Sequence, residues 1–180
     1  MSLMNLLQIR DQAVSQLKTV FASRPDITVA AHPGPLDEAG IKHLAARVPC
    51  VMTSLVRLRT DKAAGTQHLD FVTWVLGKAT AKDPGFGDTL LVLSVLEPAL
   101  RGLDATWSEG GASEVDAKNL YTGSLNQLNL TLWAVAWSWP VRGSVVQLPG
   151  DGTGVPGEVT DVLNGGIPLP DGLEYFEGYD

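Results

Sequence analysis

In LLQIRDQAVSQLKTVF, Leu6, Ile9, Ala13, Leu17, Val20 and Phe21 fall on one stripe, while Arg10, Asp11, Gln12 and Lys18 fall off it. That spacing predicts an amphipathic helix. DITVAAHPG then reads as a short strand closed by Pro33 and Gly34. In PLDEAGIKHLAARVP the apolar residues Leu36, Ile41, Leu44, Ala45 and Val48 return to helical spacing. Asp37 and Glu38 open that segment and Arg47 closes it, as the helix dipole favours, and Pro49 ends it.

Two strands follow, CVMTSLVRLRT and QHLDFVTWVLGKA, joined by the polar turn DKAAG. Near the end of the first, Val56 and Leu58 alternate with Arg57 and Arg59, so that end has one wet face. GFGDTLLVLSVLEPALRGL predicts an apolar helix with Asp88 as its N-cap and a bend near Val95 to Pro98, because an internal proline removes a helical hydrogen bond. SEGGASEVD after Trp107 reads as a loop, and Asn119 to Ser124 as a short strand or extended arm. The last strand, Asn129 to Val141, is apolar on both sides: Thr131, Trp133, Val135, Trp137 and Trp139 point one way, and Leu130, Leu132, Ala134 and Ala136 the other. Such a strand needs a cover on each face.

This order predicts an α+β fold of two layers, a mostly antiparallel sheet with helices packed on one face, over residues 1–142. From Gly143 the composition changes, with nine glycines and four prolines in the remaining residues. That segment reads as an arm rather than a second domain.

Charge divides at the same place. Residues 1–142 carry equal numbers of basic and acidic side chains, while Asp151, Glu158, Asp161, Asp171, Glu174, Glu177 and Asp180 give the arm the whole net charge of −7. A body with no charge excess gives no electrostatic reason for sequence-specific nucleic-acid binding, and the acidic arm argues against it. No apolar run reaches membrane-span length and the N-terminal residues lack a signal-peptide pattern, which predicts a soluble protein made in the cytoplasm.

Candidate chemistry is sparse. Cys50 lies in a strand-like run and reads as a small buried hydrophobe. His32, His43 and His68 lack the spacing of metal ligands. GTGVPG, Gly152 to Gly157, matches a dinucleotide fingerprint in letters only, because no strand precedes it and no helix follows. The sequon at Asn129 falls inside a core strand. The His32-Pro33-Gly34 turn reads as ordinary turn chemistry. No catalytic, cofactor-binding or metal site is expected, and the chain reads as a non-enzyme.

Two blocks, ITVAAHPGPLDEAGIKHLAARVPCVMTSLVRL and NLYTGSLNQLNLTLWAVAWSWPV, resemble a Mu-like phage family of unknown function found among tail genes. Its members share the A-x-H-P-G turn, the Leu- and Ala-rich helix and a final L-W-x-V-x-W strand, and the resemblance covers about residues 9 to 141. The Gly-rich arm lies outside it, and the Pro98 helix departs from its smoother pattern. The resemblance implies a virion structural protein, assembled in the host cytoplasm, that acts in tail assembly as the terminator of a contractile tail or a head–tail joining component. By analogy with tail terminators it implies a ring of copies, a hexamer, meeting tail tube, sheath or head connector proteins, with no membrane and no cofactor.

The expected subunit contacts are Trp133, Trp137 and Trp139 with Arg57 and Arg59, and the expected arm contacts are Glu174, Tyr175, Phe176 and Tyr179. Trp74 is expected in the protomer's own core. The alternative is a non-catalytic module holding a small ligand between sheet and helices near His32 and the tryptophans.

Overall fold

The computed structural model describes residues 5–34, 36–61, 66–78, 87–106, 108–120, 125 and 127–141. Helix α1, Leu6–Val20, starts where a capping box can form. The Asn5 side chain accepts from the Gln8 backbone N–H at 2.9 Å, and the Gln8 side chain accepts from the Asn5 N–H at 2.9 Å. Its apolar stripe puts Ile9, Ala13, Val14 and Leu17 in the core. Strand β1, Thr28–Ala31, and the short helix α2, Glu38–Leu44, follow, the latter capped by the Asp37 carboxylate on the Gly40 N–H at 2.6 Å. A single turn of 3₁₀ helix, Ala45–Arg47, leads into β2, Cys50–Asp61. The remaining elements are β3, Thr66–Lys78; α3, Gly87–Arg101; β4, Ser113–Asn119; and β5, Leu130–Val141.

The five strands form one sheet in the order β1-β2-β3-β5-β4. β1 is parallel to β2, and the other pairings are antiparallel. The expected α+β class and mostly antiparallel sheet are found.

Residue parity along the strands separates two cores. Odd positions Val51, Leu69, Phe71, Val75, Val135, Trp137 and Trp139 pack with α1 and α3. Even positions Cys50, Met52, Trp74, Leu76, Leu130, Leu132 and Ala134 pack with Leu36, Leu44 and Leu125. Two of the three helices thus share one face as expected, while α2 serves the opposite one. The parallel pairing of β1 and β2 explains this: the chain between them must cross over a face of the sheet, and α1 and α3 already occupy the other.

Two other expectations are corrected, while α3 keeps Pro98 inside a single helix. It begins at Gly87, so Asp88 lies inside its first turn rather than at the N-cap. The segment read as a loop after Trp107 contains strand β4, whose sequence SEVDAKN has only Val115 and Ala117 as apolar positions and which pairs with β5. Residues 62–65, Trp107, residues 121–124 and everything from Arg142 onward, with Glu174, Tyr175, Phe176 and Tyr179, lie outside the described residues.

A register shift between Leu55 and Arg57 also changes the wet end of β2. Alternation alone groups Val56 with Leu58 on one face. The bulge inserts an extra residue, so Leu58 rejoins the core beside Leu55 while Val56 is left 42% exposed.

Candidate functional site

Trp137 and Trp139, expected at a subunit contact, are enclosed in the protomer at 2% and 0% exposure. Trp137 stacks on Phe71 with ring centroids 4.3 Å apart, and its indole N–H donates to Thr73 Oγ1 at 3.0 Å. The Thr73 hydroxyl in turn lies 3.0 Å from that of Thr53. The Trp139 indole N–H donates to the Gly110 carbonyl at 2.9 Å. Both tryptophans therefore have full apolar cover and a satisfied polar atom, and neither has surface to offer a partner. The cover that β5 needs on this side comes from α1 and α3. Trp74 lies in the second core, its ring edge-on to His32 at 5.5 Å.

Trp133 differs. It packs only partly against the first core, and its indole nitrogen is buried without a hydrogen-bond partner. Thr131, two residues earlier on the same face, shares a 2.8 Å hydroxyl contact with Thr89 in the first turn of α3. That contact requires close approach of helix and sheet, and Gly77 permits it: a Cβ there would lie 2.1 Å from Thr89 Oγ1. Trp133 consequently sits alongside the N-terminal half of α3.

On the other face, at the end of the sheet beyond the second core, Arg59 ties four strands together. Its guanidinium grips Asp70 of β3 through Nε at 2.7 Å and Nη2 at 2.9 Å, and Nη2 also reaches Glu114 of β4 at 2.9 Å and Ser138 of β5 at 3.4 Å. The hydrogen bond to Asp70 raises the guanidinium pKa above its already high ordinary value; partial burial opposes this and Glu114 adds to it. Arg59 is thus committed to an internal network, whereas Arg57 projects exposed beside it.

The outer side of α3 is the feature that sequence reasoning passed over. Leu90, Leu91 and Val95 are 46%, 59% and 44% exposed. The signal was present, because a helix apolar all round has more greasy surface than one sheet can cover.

His32 belongs to its turn: Nδ1 lies 2.7 Å from the Gly34 carbonyl oxygen, and the Ser54 hydroxyl donates to the His32 carbonyl at 2.8 Å. The cavity beside it, lined by Leu6, Leu7, Arg10, His32, Pro33 and Leu55, holds about 120 Å³. An open groove of about 320 Å³ runs between α1 and β1, lined by Val14, Lys18, Ala30 and others. Neither is lined by a tryptophan, and the one near His32 is well below the roughly 300–1,000 Å³ of ordinary ligand pockets. Among the described residues no group of three or more His, Cys, Asp or Glu is placed to hold a metal ion, and no helix is long and apolar enough to cross a membrane. Cys50 is fully buried, which pushes its thiol pKa up to about 11 against a small opposing effect of Arg47.

No family model matches the chain, and no curated protein matches it in sequence. Among solved structures it is similar to a chain in the virion of a native gene transfer agent particle. The identity is 18% and the TM-score 0.45, over 75% of this chain and 95% of that one.

Proposed function

We propose that the protein is a structural component of a phage virion, acting in tail assembly as a tail terminator or head–tail joining protein by forming a ring of copies. The observation that carries this reading is Trp133, a large aromatic residue only partly buried in a strand whose two other tryptophans, Trp137 and Trp139, are fully enclosed and hydrogen-bonded. Subunit interfaces concentrate large aromatic residues that a protomer leaves partly covered, because a neighbour supplies the missing apolar cover. The resemblance of the two sequence blocks to the Mu-like tail-gene family supports the same reading.

In this ring the contact is heterologous: the Trp133 face of one protomer meets the Arg57 face of the next, and rotation closes the circle, with six copies as the expected number. Trp137, Trp139 and Arg59 act behind the contact by holding the sheet that presents it. Residues 143–180 form an acidic arm, separate from the body of residues 1–142, whose Glu174, Tyr175, Phe176 and Tyr179 contact a neighbouring copy or an adjoining tail tube, sheath or head connector protein. The particle assembles in the host cytoplasm and the protein ends in the virion.

Sedimentation and native mass measurement test this with the full chain, alone and with purified tail tubes that lack a terminator. A six-protomer species, or reversible growth with concentration, is expected, and Trp133→Ala should weaken it while leaving the fold intact. A strict monomer under both conditions refutes the reading.

A further inference from the structure

We infer that the groove between α1 and the edge strand β1 receives an extended segment from a second copy of this chain, residues 158–163 of its acidic arm, added to the sheet as a further strand. The backbone calls for such an occupant. β1 is the first strand of the sheet and has β2 on one side only. Thr28 and His32 donate their N–H groups to the Pro49 and Thr53 carbonyls, so in this parallel ladder the N–H and C=O groups of Val29 and Ala31 point to the open edge. An extended chain satisfies that row, and a helix does not.

The groove also selects for sequence. Leu7, Asp11, Val14 and Lys18 recur at i, i+4, i+7 and i+11 and form one row along α1, about 16 Å long. That is about the length of six residues of extended chain. At one end the exposed Lys18 has no ion pair among the described residues, whereas Asp11 is already held by Arg10 at 2.8 Å. At the other end Leu6, Leu7 and Leu55 line an apolar hollow beside Pro33. The site therefore fits a strand with an acid at its start and, further along the same face, an apolar side chain. The arm carries acids and no base, and its longest run free of glycine and proline is EVTDVLN, residues 158–164. In that run Glu158 and Val162 share a face, and Val159, Thr160 and Val162 are β-branched, as strands favour.

This places the run parallel to β1, entering by Lys18 and ending by Pro33. An arm of the same copy starts at the wrong end: β5 is parallel to β1 by way of β2 and β3, so the chain leaves Val141 at the Pro33 end of the sheet. A second copy can present its arm from the Lys18 end. The inference rests on the proposed reading in taking the arm as a contact between copies, and it adds which run binds and where.

Full-length variants with one introduced cysteine test this, because the native Cys50 is buried. When Val162→Cys is mixed with Leu7→Cys and mildly oxidised, disulfide-linked mixed dimers should form. Mixed with Ser15→Cys, about 12 Å further along α1, it should not link. Ala31→Pro removes an outward N–H while Thr28 and His32 keep the ladder to β2, and it should abolish the link to Leu7→Cys. Lys18→Glu should weaken linking about fivefold, and Glu158→Lys in the other copy should restore it.

Equal linking to Leu7→Cys and Ser15→Cys, no mixed dimers, or undiminished linking in Ala31→Pro overturns the inference. So does a double variant, Leu7→Cys with Val162→Cys, that links within one chain and never between two. Failure of the ring reading would look different: mixed dimers would form in the expected register while no six-protomer species appeared.

Discussion

The same substitution, Trp to Phe, should act with opposite sign at two places on β5. At Trp137 the indole N–H donates to Thr73 Oγ1 inside the first core. Phenylalanine keeps the stack on Phe71 but removes that donor, and losing a buried hydrogen bond of this kind costs about 1 kcal/mol. The smaller ring also leaves a void of roughly 30 Å³, which at about 24 cal/mol per Å³ adds about 0.7 kcal/mol. Trp137→Phe should therefore destabilise the protomer by roughly 1.5–2 kcal/mol. At Trp133 the donor has no partner, so deleting it removes a desolvation penalty. Partial cover means that any void opens towards water. Trp133→Phe should be neutral or stabilising by up to about 1 kcal/mol in the isolated protomer. Urea unfolding followed by far-UV circular dichroism, at a protein concentration low enough to prevent association, measures both without using tryptophan as the probe. With a slope of about 1–3 kcal/mol/M the two midpoints should separate by roughly 0.5 M or more. Equal destabilisation at both positions would refute the reasoning, because Trp133 would then be an ordinary core residue.

Gly77→Ala should cost about 3 kcal/mol, because the added methyl group would collide with both Thr89 and Thr131 and force the first turn of α3 off the sheet; thermal unfolding should show a drop of several degrees, and an unchanged midpoint would contradict the packing described. Cys50 should resist thiol reagents in the native protein. Its pKa is raised to about 11 on folding, so the unfolded chain releases that proton first and stability should fall between about pH 9 and pH 11, by roughly 3 kcal/mol in all; the loss should be absent from Cys50→Ala in pH-dependent denaturation, and its persistence there would assign it to another group.

Much of the fold was legible because it is written in local periodicity. The stripe Ile9, Ala13, Leu17 named α1, and two-sided apolar runs named the inner strands β3 and β5. What escaped was decided by tertiary pairing. The strand Ser113–Asn119 lies at the sheet edge beside β5 and alternates Glu114, Asp116 and Lys118 with only Val115 and Ala117, a weak apolar signature. The bulge at Leu55/Arg57 moved Val56 out and Leu58 in, which strict alternation cannot foresee.

The site was legible in part. Tryptophan at three places on one strand indicated heavy burial, but residue type alone could not distinguish Trp137, whose donor finds Thr73, from Trp133, whose donor finds nothing. Arg57 and Arg59 look alike in sequence; only the placement of Asp70, Glu114 and Ser138 around one of them separates a structural clamp from an exposed cation.

The strand order has a consequence for how the protein is made. β5 lies between β3 and β4, although it is the last of the three to leave the ribosome. Until Leu130–Val141 has emerged, β4 has no neighbour to pair with and β3 presents a bare, two-sided greasy margin. The final strand is the keystone of the nascent chain, and a premature stop ahead of it should yield inclusion bodies rather than a shorter folded fragment.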